Sequence, residues 1–137
     1  MMRWSETWQK EHGTVGSGVV VNVASRDLLL ADLEQRLADG LGFSVATLNL
    51  DHVTKLRDLP DFKEAYQRHT HVTADGNPIV WFSRLAWQDV SLVPGSELIE
   101  PVTQIAARLG VNIALFGATR ASLDAAAKAL KARFPEL

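Results

Sequence analysis

The chain has 137 residues, of which 47% are hydrophobic and 22% charged, with a formal net charge of -2 and no cysteine. These values are those of one globular domain with a real core, and they exclude a disulfide framework, thiolate chemistry and the basic footprint of a nucleic-acid-binding protein. The apolar runs are too short to span a membrane and the N-terminus is too polar for a secretory signal, so we expect a cytoplasmic protein.

Residues 1–18 are polar and punctuated by glycine, and we interpret them as an N-terminal arm that precedes one α/β domain over residues 19–137. Trp4 and Trp8 are four residues apart, so they would share one side of a short helix. We expect that side to pack on the body of the protein or on a neighbouring subunit, with contact to a membrane surface as the alternative.

Strand and helix patterns alternate along the rest of the chain. In order, they predict a strand over 19–23, a helix over 26–39, a strand over 43–48, a helical stretch over 53–69 broken at Pro60, a strand over 71–74, helices over 78–86 and 97–109, a buried strand over 112–116 and a helix over 121–133. This alternation predicts an α/β fold with a mostly parallel sheet.

Local signals place the ends and buried sides of several helices. Ser25 and Ser96 stand where N-caps are expected, and glycines are expected to end the same two helices, at Gly40 and Gly110. In the helix over 78–86, the spacing puts Ile79, Phe82 and Leu85 on one side. Trp81 and Phe82 are expected in the core rather than as a stacking platform.

Polar residues follow three of the predicted strands, where α/β sheets hold their ligands. Thr47 and Asn49 lie two residues apart, so both would face the same crevice at the end of one strand. Asp75, Gly76 and Asn77 follow the next strand, and Gly76 would let the backbone approach a ligand closely. Asp75 is either a base that takes a proton from a hydroxyl or, with Asn77, a cap for the following helix.

Two other groups of residues have weaker functional interpretations. Gly117 begins a turn between a strand and a helix, which is either a phosphate site on helix N–H groups or a plain turn capped by Thr119. His69 and His71 form an H-x-H pair, but a metal site needs further ligands. We therefore expect solvated or hydrogen-bonded imidazoles there and no metal. His52, after the second strand, is better placed for a site, with a simple position on the following helix as the alternative.

Three runs of sequence resemble the WecG/TagA/CpsF glycosyltransferase family in order and spacing. They are Thr47-Leu48-Asn49-Leu50-Asp51-His52-Val53, then His71-Val72-Thr73-Ala74-Asp75-Gly76-Asn77-Pro78-Ile79-Val80-Trp81, and then Val93-Pro94-Gly95-Ser96-Glu97-Leu98. The tail from Ile113 to Gly117, with the alanine-rich helix after it, is similar as well. The resemblance covers the chain from about Asp27 onward.

The resemblance implies a Rossmann-like three-layer domain and an inverting transferase without a cofactor or bound metal. Its donor would be a UDP-sugar, typically a UDP-N-acetylhexosamine, and its acceptor a polyprenyl-diphosphate-linked sugar at the inner membrane face, in cell-surface or exopolysaccharide synthesis. Family roles carried over by position make Asp75 the general base and Thr47 and Asn49 substrate-binding residues. Gly76, Asn77, Arg84 and Gly117 are further candidates for substrate binding.

The chain departs from the family pattern in two ways. Many members carry an arginine that serves the diphosphate where this chain has Leu92, so Arg84, Arg120 or helix N-termini would have to replace it. Members also continue beyond the equivalent of Leu137, so the chain is expected to correspond to the N-terminal half, with exposed apolar surface that favours a homo-oligomer. A non-catalytic α/β binding domain is the alternative.

Overall fold

A computed structural model of the protein describes residues 19–137, and within that part the chain forms six helices and two strands. They are α1 (Arg26–Ala38), β1 (Val45–Leu48), α2 (Leu50–Asp58), α3 (Pro60–Gln67), β2 (His71–Ala74), α4 (Asn77–Leu85), α5 (Gly95–Leu109) and α6 (Arg120–Arg133). The predicted arm, with Trp4 and Trp8, lies outside the described residues. None of the helices in the described part is long and apolar enough to cross a membrane.

The two strands form a parallel sheet, as the alternating pattern predicts. Their register pairs Val45 with His71 at one end and Leu48 with Ala74 at the other. Two helices, α2 and α3, connect them, which is the long crossover that a parallel pair requires. The α/β class is therefore confirmed, whereas a Rossmann-like three-layer fold is not, because the sheet in the described residues has two strands.

Apolar side chains pack in two clusters. One contains Leu48 and Val72 from the strands with Tyr66 of α3 and with Ile79 and Val80 of α4. Val45 of β1 packs against the other cluster, whose buried residues are Val23, Leu29, Leu33, Val93 and Leu98. Because successive strand residues point to opposite faces, the first cluster uses Leu48 and Val72 on one face and the second uses Val45 on the other.

Most predicted helix ends are confirmed by the backbone. The Ser25 hydroxyl accepts the N–H of Leu28 at the start of α1, and Pro60 begins α3 at its first residue. Gly110 ends α5 in the left-handed conformation at φ 66°. The prediction for Ser96 was wrong: α5 begins at Gly95 after Pro94, which offers no side-chain hydrogen bond.

The predicted strand over 19–23 was wrong, although the segment does run beside β2. The main-chain N–H of Asn22 donates to the Val72 carbonyl at 3.1 Å. The return bond, from the Val72 N–H, goes to Oδ1 of the Asn22 side chain at 2.7 Å. A side chain therefore occupies the place of a main-chain partner, and a continuous ladder does not form.

The predicted buried strand over 112–116 was also wrong. These residues form no strand, and Phe116 is completely exposed, with a relative accessibility of 104%. Ile113 and Leu115 lie instead beside Ala127 and Leu130 of α6. An apolar run forms a strand only where a sheet edge accepts its main-chain bonds, and within residues 19–137 no edge pairs with this run.

The buried side of α4 differs from the predicted one. The helix turns Ile79 and Val80 into the core. Trp81 and Phe82 are exposed at 64% and 61%, so their predicted burial was wrong, and Leu85 is exposed at 79%. Spacing along a helix shows which residues share a side, but the element against which the helix docks decides which side is buried.

Candidate functional site

The register of the sheet brings two of the three predicted strand ends together. Thr47 pairs with Thr73 and Leu48 with Ala74, and the Asp75 N–H donates to the Leu48 carbonyl at 2.8 Å. Asn49 and Asp75 are the residues that directly follow this last pair, one on each chain segment. Both candidates therefore leave the sheet at the same end, its carboxyl end, where ligands bind in α/β proteins.

Asp75 precedes α4 but does not cap it. The N-cap is Gly76, and no side chain makes a capping hydrogen bond at this helix, so neither Asp75 nor Asn77 has the cap role. Asp75 is half-buried, and its carboxylate makes no hydrogen bond or ion pair with another residue of the described chain. The Asp75 carboxylate thus lies at the strand end and takes no part in a hydrogen bond or ion pair that stabilises the described fold.

Gly76 gives the turn after β2 its shape. Its φ of 121° and ψ of 139° fall in a region that side chains disfavour and glycine adopts freely. A Cβ added there would meet Cδ of Pro78 only at 3.8 Å, so space is not the constraint. The turn requires glycine for its backbone angles, and this conformation leads the chain from Asp75 directly into α4.

Asn49 has a structural role that the sequence interpretation did not include. Its Oδ1 accepts the main-chain N–H of His52 at 2.9 Å and so caps α2. This bond determines the orientation of the Asn49 amide group, because a flipped amide would place its NH2 group against the N–H of His52, so that two donors would face each other. The NH2 group has no partner in the described chain, so Asn49 offers two donors to a ligand oxygen.

Thr47 lies against the beginning of α5. A Cβ built on Gly95 would be 3.1 Å from Cγ2 of Thr47. Nearby, Thr73 is fully buried and donates its hydroxyl to the Val93 carbonyl at 2.9 Å. These contacts hold the N-terminus of α5 beside the strand ends, and that N-terminus lacks a side-chain cap.

The carbonyl of Thr47 is held by two side chains of the crossover. The Tyr66 hydroxyl lies 2.7 Å from this oxygen, and Nδ1 of His52 lies 3.1 Å from it. His52 and Tyr66 also contact each other, Nδ1 to hydroxyl, at 2.7 Å. Burial, and then the negative charge of Asp75, raise the pKa of Tyr66, so its hydroxyl keeps its proton.

Tyr66 was missed as a site residue because its spacing from Phe62 is that of an ordinary apolar helix face. His52 was singled out for its position after the second strand, and the structure places it on the following helix, in the first turn of α2, with its ring beside the Thr47 carbonyl. The signal that could have found Tyr66 is a polar tip on a residue of the buried face, since a buried tyrosine hydroxyl needs a partner.

The remaining candidates do not join this group. Arg84 is exposed in the last turn of α4, about 10 Å along the helix axis from Asn77. Gly117 lies in an exposed turn with φ 107°, and a Cβ there would meet nothing within 4 Å. Arg120, the other candidate for the diphosphate, forms an ion pair with Asp124 at 3.2 Å.

Leu92 is the position at which the family arginine is expected. Its main chain forms an isolated parallel bridge with Ala74, directly beside the end of β2. The side chain is partly exposed, at 39%. The position therefore adjoins the strand ends but supplies no charge to them.

The histidines after α3 are hydrogen-bonded, as expected. Nδ1 of His69 bonds the Ala65 carbonyl at 2.8 Å, and Nε2 of His71 lies 2.8 Å from Oδ2 of Asp32. In the described residues, no three His, Asp or Glu side chains come together in a way that could hold a metal ion. The Asp32–His71 pair is at the amino end of β2, opposite Asp75.

Comparison with curated proteins found no match, and comparison with solved structures found none either. Comparison with protein families gave one finding. The family described as "Glycosyl transferase WecG/TagA/CpsF family" matches residues 15–137, which is most of the chain. The match includes both strand ends, the turn at Asp75 and the start of α5, and the chain therefore belongs to the WecG/TagA/CpsF family of glycosyltransferases.

Proposed function

We propose that the protein is an inverting glycosyltransferase with Asp75 as its general base. The observation that carries this proposal is the unpaired carboxylate of Asp75, which, like Asn49, directly follows the last pair of the parallel sheet at its carboxyl end. A base must be free to accept a proton, and a carboxylate already bonded to a helix or a cation would be a poorer one. Family membership supplies the reaction class.

In the proposed reaction, the acceptor hydroxyl oxygen attacks the anomeric carbon of the donor sugar. The bond between that carbon and the diphosphate oxygen breaks, and the nucleoside diphosphate leaves with the electron pair. The hydroxyl proton passes to the Asp75 carboxylate. Attack on the face opposite the leaving group inverts the configuration at the anomeric carbon. The NH2 group of Asn49 donates hydrogen bonds to oxygen atoms of the nucleotide sugar.

The negative charge of the leaving diphosphate must be stabilised by positive charge nearby, and the uncharged side chain of Leu92 does not supply it. Arg84 is at the far end of α4 and Arg120 is paired with Asp124, whereas the N-terminus of α5 adjoins Thr47 through Gly95. Free N–H groups at a helix N-terminus carry partial positive charge and bind phosphate oxygens. We therefore assign the diphosphate to the start of α5, with Thr47 beside it.

The finer identity of the substrates follows the family resemblance. The proposed donor is a UDP-N-acetylhexosamine or UDP-hexose, and the proposed acceptor is a polyprenyl-diphosphate-linked sugar used for cell-surface or exopolysaccharide synthesis. The protein would then work peripherally at the inner face of the membrane, in a Rossmann-like arrangement. Self-association is supported by the exposed side of α4, where Trp81, Phe82 and Leu85 form an apolar surface.

The test compares transfer by wild type, Asp75→Asn and the control Asp51→Asn. Asp51 is an exposed carboxylate of α2 that pairs with Lys55, so its replacement matches the change in charge. With labelled UDP-N-acetylglucosamine and a lipid-diphosphate acceptor, we expect Asp75→Asn to lower turnover about 10²- to 10⁴-fold. Its unfolding midpoint should stay near wild type, and transfer at the control rate would refute Asp75 as base.

A non-catalytic binding domain is the second candidate, and Leu92 in place of a cation favours it. Under this alternative the chain binds the donor but transfers nothing. Thermal stabilisation by UDP-N-acetylglucosamine, which a ligand specific for the native state must produce, together with no product in the transfer assay, would support it. Stabilisation with turnover would support the transferase.

A further inference from the structure

The outer edge of β1 is closed by side chains instead of a strand. The Leu48 carbonyl points to β2, where it accepts the Asp75 N–H. Successive peptide groups of a strand point to opposite edges, so the carbonyl of Thr47 points away from β2. In the described chain no strand pairs with that edge. The Tyr66 hydroxyl and the His52 ring meet the Thr47 carbonyl there.

The contacts among these three groups determine where the protons are. The Tyr66 hydroxyl has one proton and the Thr47 carbonyl has none, yet the contacts number three, at 2.7, 2.7 and 3.1 Å. If Nδ1 of His52 carried no proton, at least one contact would join two lone pairs. With a proton on Nδ1, the hydroxyl donates to Thr47 and the imidazole N–H is shared between both oxygens.

The ring of His52 is held in place by more than these bonds. Its centroid lies 5.6 Å from that of Phe62 and 5.7 Å from that of Tyr66, both in edge contacts. Such contacts restrict rotation of the imidazole. His52 also uses its main-chain N–H to hold Oδ1 of Asn49. The ring of His52 thus holds the main chain of Thr47, while its main-chain N–H, which other residues would also supply, holds the side chain of Asn49.

Resting on the proposed function, we propose that His52 is a positioning residue of the transferase site. As the Nδ1–H tautomer, and together with the Tyr66 hydroxyl, it sets the carboxyl end of β1 so that Thr47 and Asn49 meet the donor in one geometry. His52 is not a catalytic residue in this proposal, because it acts through its neighbours. A purely structural role would close the strand edge without affecting the donor.

The first experiment identifies the tautomer by ¹⁵N NMR of the ring nitrogens in the 137-residue chain, at about pH 9, above the usual range of histidine pKa values. We expect a protonated Nδ1 and a bare Nε2 in wild type. Tyr66→Phe removes the hydroxyl that shares the Nδ1 proton, so the ring should shift toward a mixture of tautomers. A wild-type ring with its proton on Nε2 overturns the proposal.

The second experiment measures binding of UDP-N-acetylglucosamine by wild type, His52→Ala, Tyr66→Phe and the control His69→Ala. His69 is a matched control, since its ring is also 5.7 Å from that of Tyr66 but bonds the Ala65 carbonyl. We expect the first two variants to bind about tenfold more weakly, the equivalent of one hydrogen bond, and the control to bind as wild type does. Equal affinity in all four overturns the proposal.

Failure of the proposed function has a different signature. If wild type does not bind UDP-N-acetylglucosamine, the proposal that the protein binds this donor is wrong. The role of His52 is then tested on the free protein by the NMR signals of the Asn49 side-chain amide and of the Thr47 carbonyl ¹³C. Shifts of these signals in His52→Ala and Tyr66→Phe, but not in His69→Ala, support the local part of the proposal, that the two side chains set the carboxyl end of β1. Unchanged signals in His52→Ala overturn it. Unfolding midpoints identify a variant that fails to fold, in which case His52→Leu, which changes the volume less and carries no N–H donor, replaces His52→Ala.

Discussion

Thr47 and Gly95 are in such close contact that a Cβ on the glycine would lie 3.1 Å from Cγ2 of the threonine. Gly95 is the first residue of α5, and Thr47 is the last but one residue of β1. The contact sets the distance between the helix N-terminus and the strand end. In the proposed site, this is the distance between the diphosphate and the sugar-binding residues.

Gly95→Ala should therefore show an energetic coupling to Thr47→Ser. The added methyl group crowds Cγ2 of Thr47, which serine lacks, so the serine background should tolerate it better by about 0.5–1 kcal/mol. Urea unfolding of the two single variants and the double variant measures the coupling. Gly42→Ala, where an added Cβ meets nothing within 4 Å, serves as the uncoupled control. If the stability changes of Gly95→Ala and Thr47→Ser simply add in the double variant, the contact between the two residues is not tight.

Replacing Asn49 separates its cap role from its proposed ligand role. Asp caps helices as well as Asn does, so Asn49→Asp should keep the stability of α2, whereas Asn49→Ala should cost about 1 kcal/mol. Both variants lose the NH2 donors that the cap leaves free. We expect both to lose donor binding, measured by calorimetry with UDP-N-acetylglucosamine. Normal binding by Asn49→Asp would leave Asn49 as a cap alone.

Gly76→Ala should destabilise the protein more than Gly40→Ala does. Gly40 has φ 67°, in the left-handed region that other residues enter at a cost of about 1–2 kcal/mol. Gly76 has φ 121°, where side chains are disfavoured further. We expect an extra loss of about 1 kcal/mol or more in urea unfolding. Equal losses at the two positions would show that the turn after Asp75 relaxes without cost.

Acid should weaken the link between α1 and β2 that Asp32 and His71 form. Partial burial alone would raise the pKa of the Asp32 carboxyl, but hydrogen bonds from Arg36 and His71 outweigh it and the pKa is lowered from 3.8. A carboxyl with a lowered pKa in the folded state stabilises the fold above its unfolded pKa. This contribution is lost as the pH falls through the folded value.

Asp32→Asn should therefore lose stability at neutral pH and show a shallower decline between about pH 5 and pH 3 than wild type. Unfolding midpoints across this range measure the difference. Arg36→Gln keeps the carboxyl but removes one of its donors, so its decline should be intermediate. Asp27→Asn, an exposed carboxylate of the same helix, controls for net charge. Parallel curves for Asp32→Asn and wild type would contradict the assignment.

Helix ends and short strands were predictable where the cause is local. Ser25 caps α1, Pro60 begins α3 and Gly110 ends α5, since each depends on one side chain or one backbone angle. The predicted N-cap at Ser96 was wrong because α5 already begins at Gly95, one residue earlier. The strands over 19–23 and 112–116 failed for another reason: a strand needs a partner edge, and local pattern does not report whether one exists.

For the site, the sequence determined which groups are present and which lie at the ends of β1 and β2. Thr47, Asn49 and Asp75 could be named because polar residues after strands are visible in a pattern, and their order matched a family. Only the tertiary structure decided that Asn49 and Asp75 leave the sheet at the same end, that Asp75 caps nothing and that Tyr66 and His52 hold the Thr47 carbonyl. The reason is physical: residue type and spacing act within a few positions of the chain, whereas register, hydrogen-bond partners and burial depend on contacts between segments far apart in sequence.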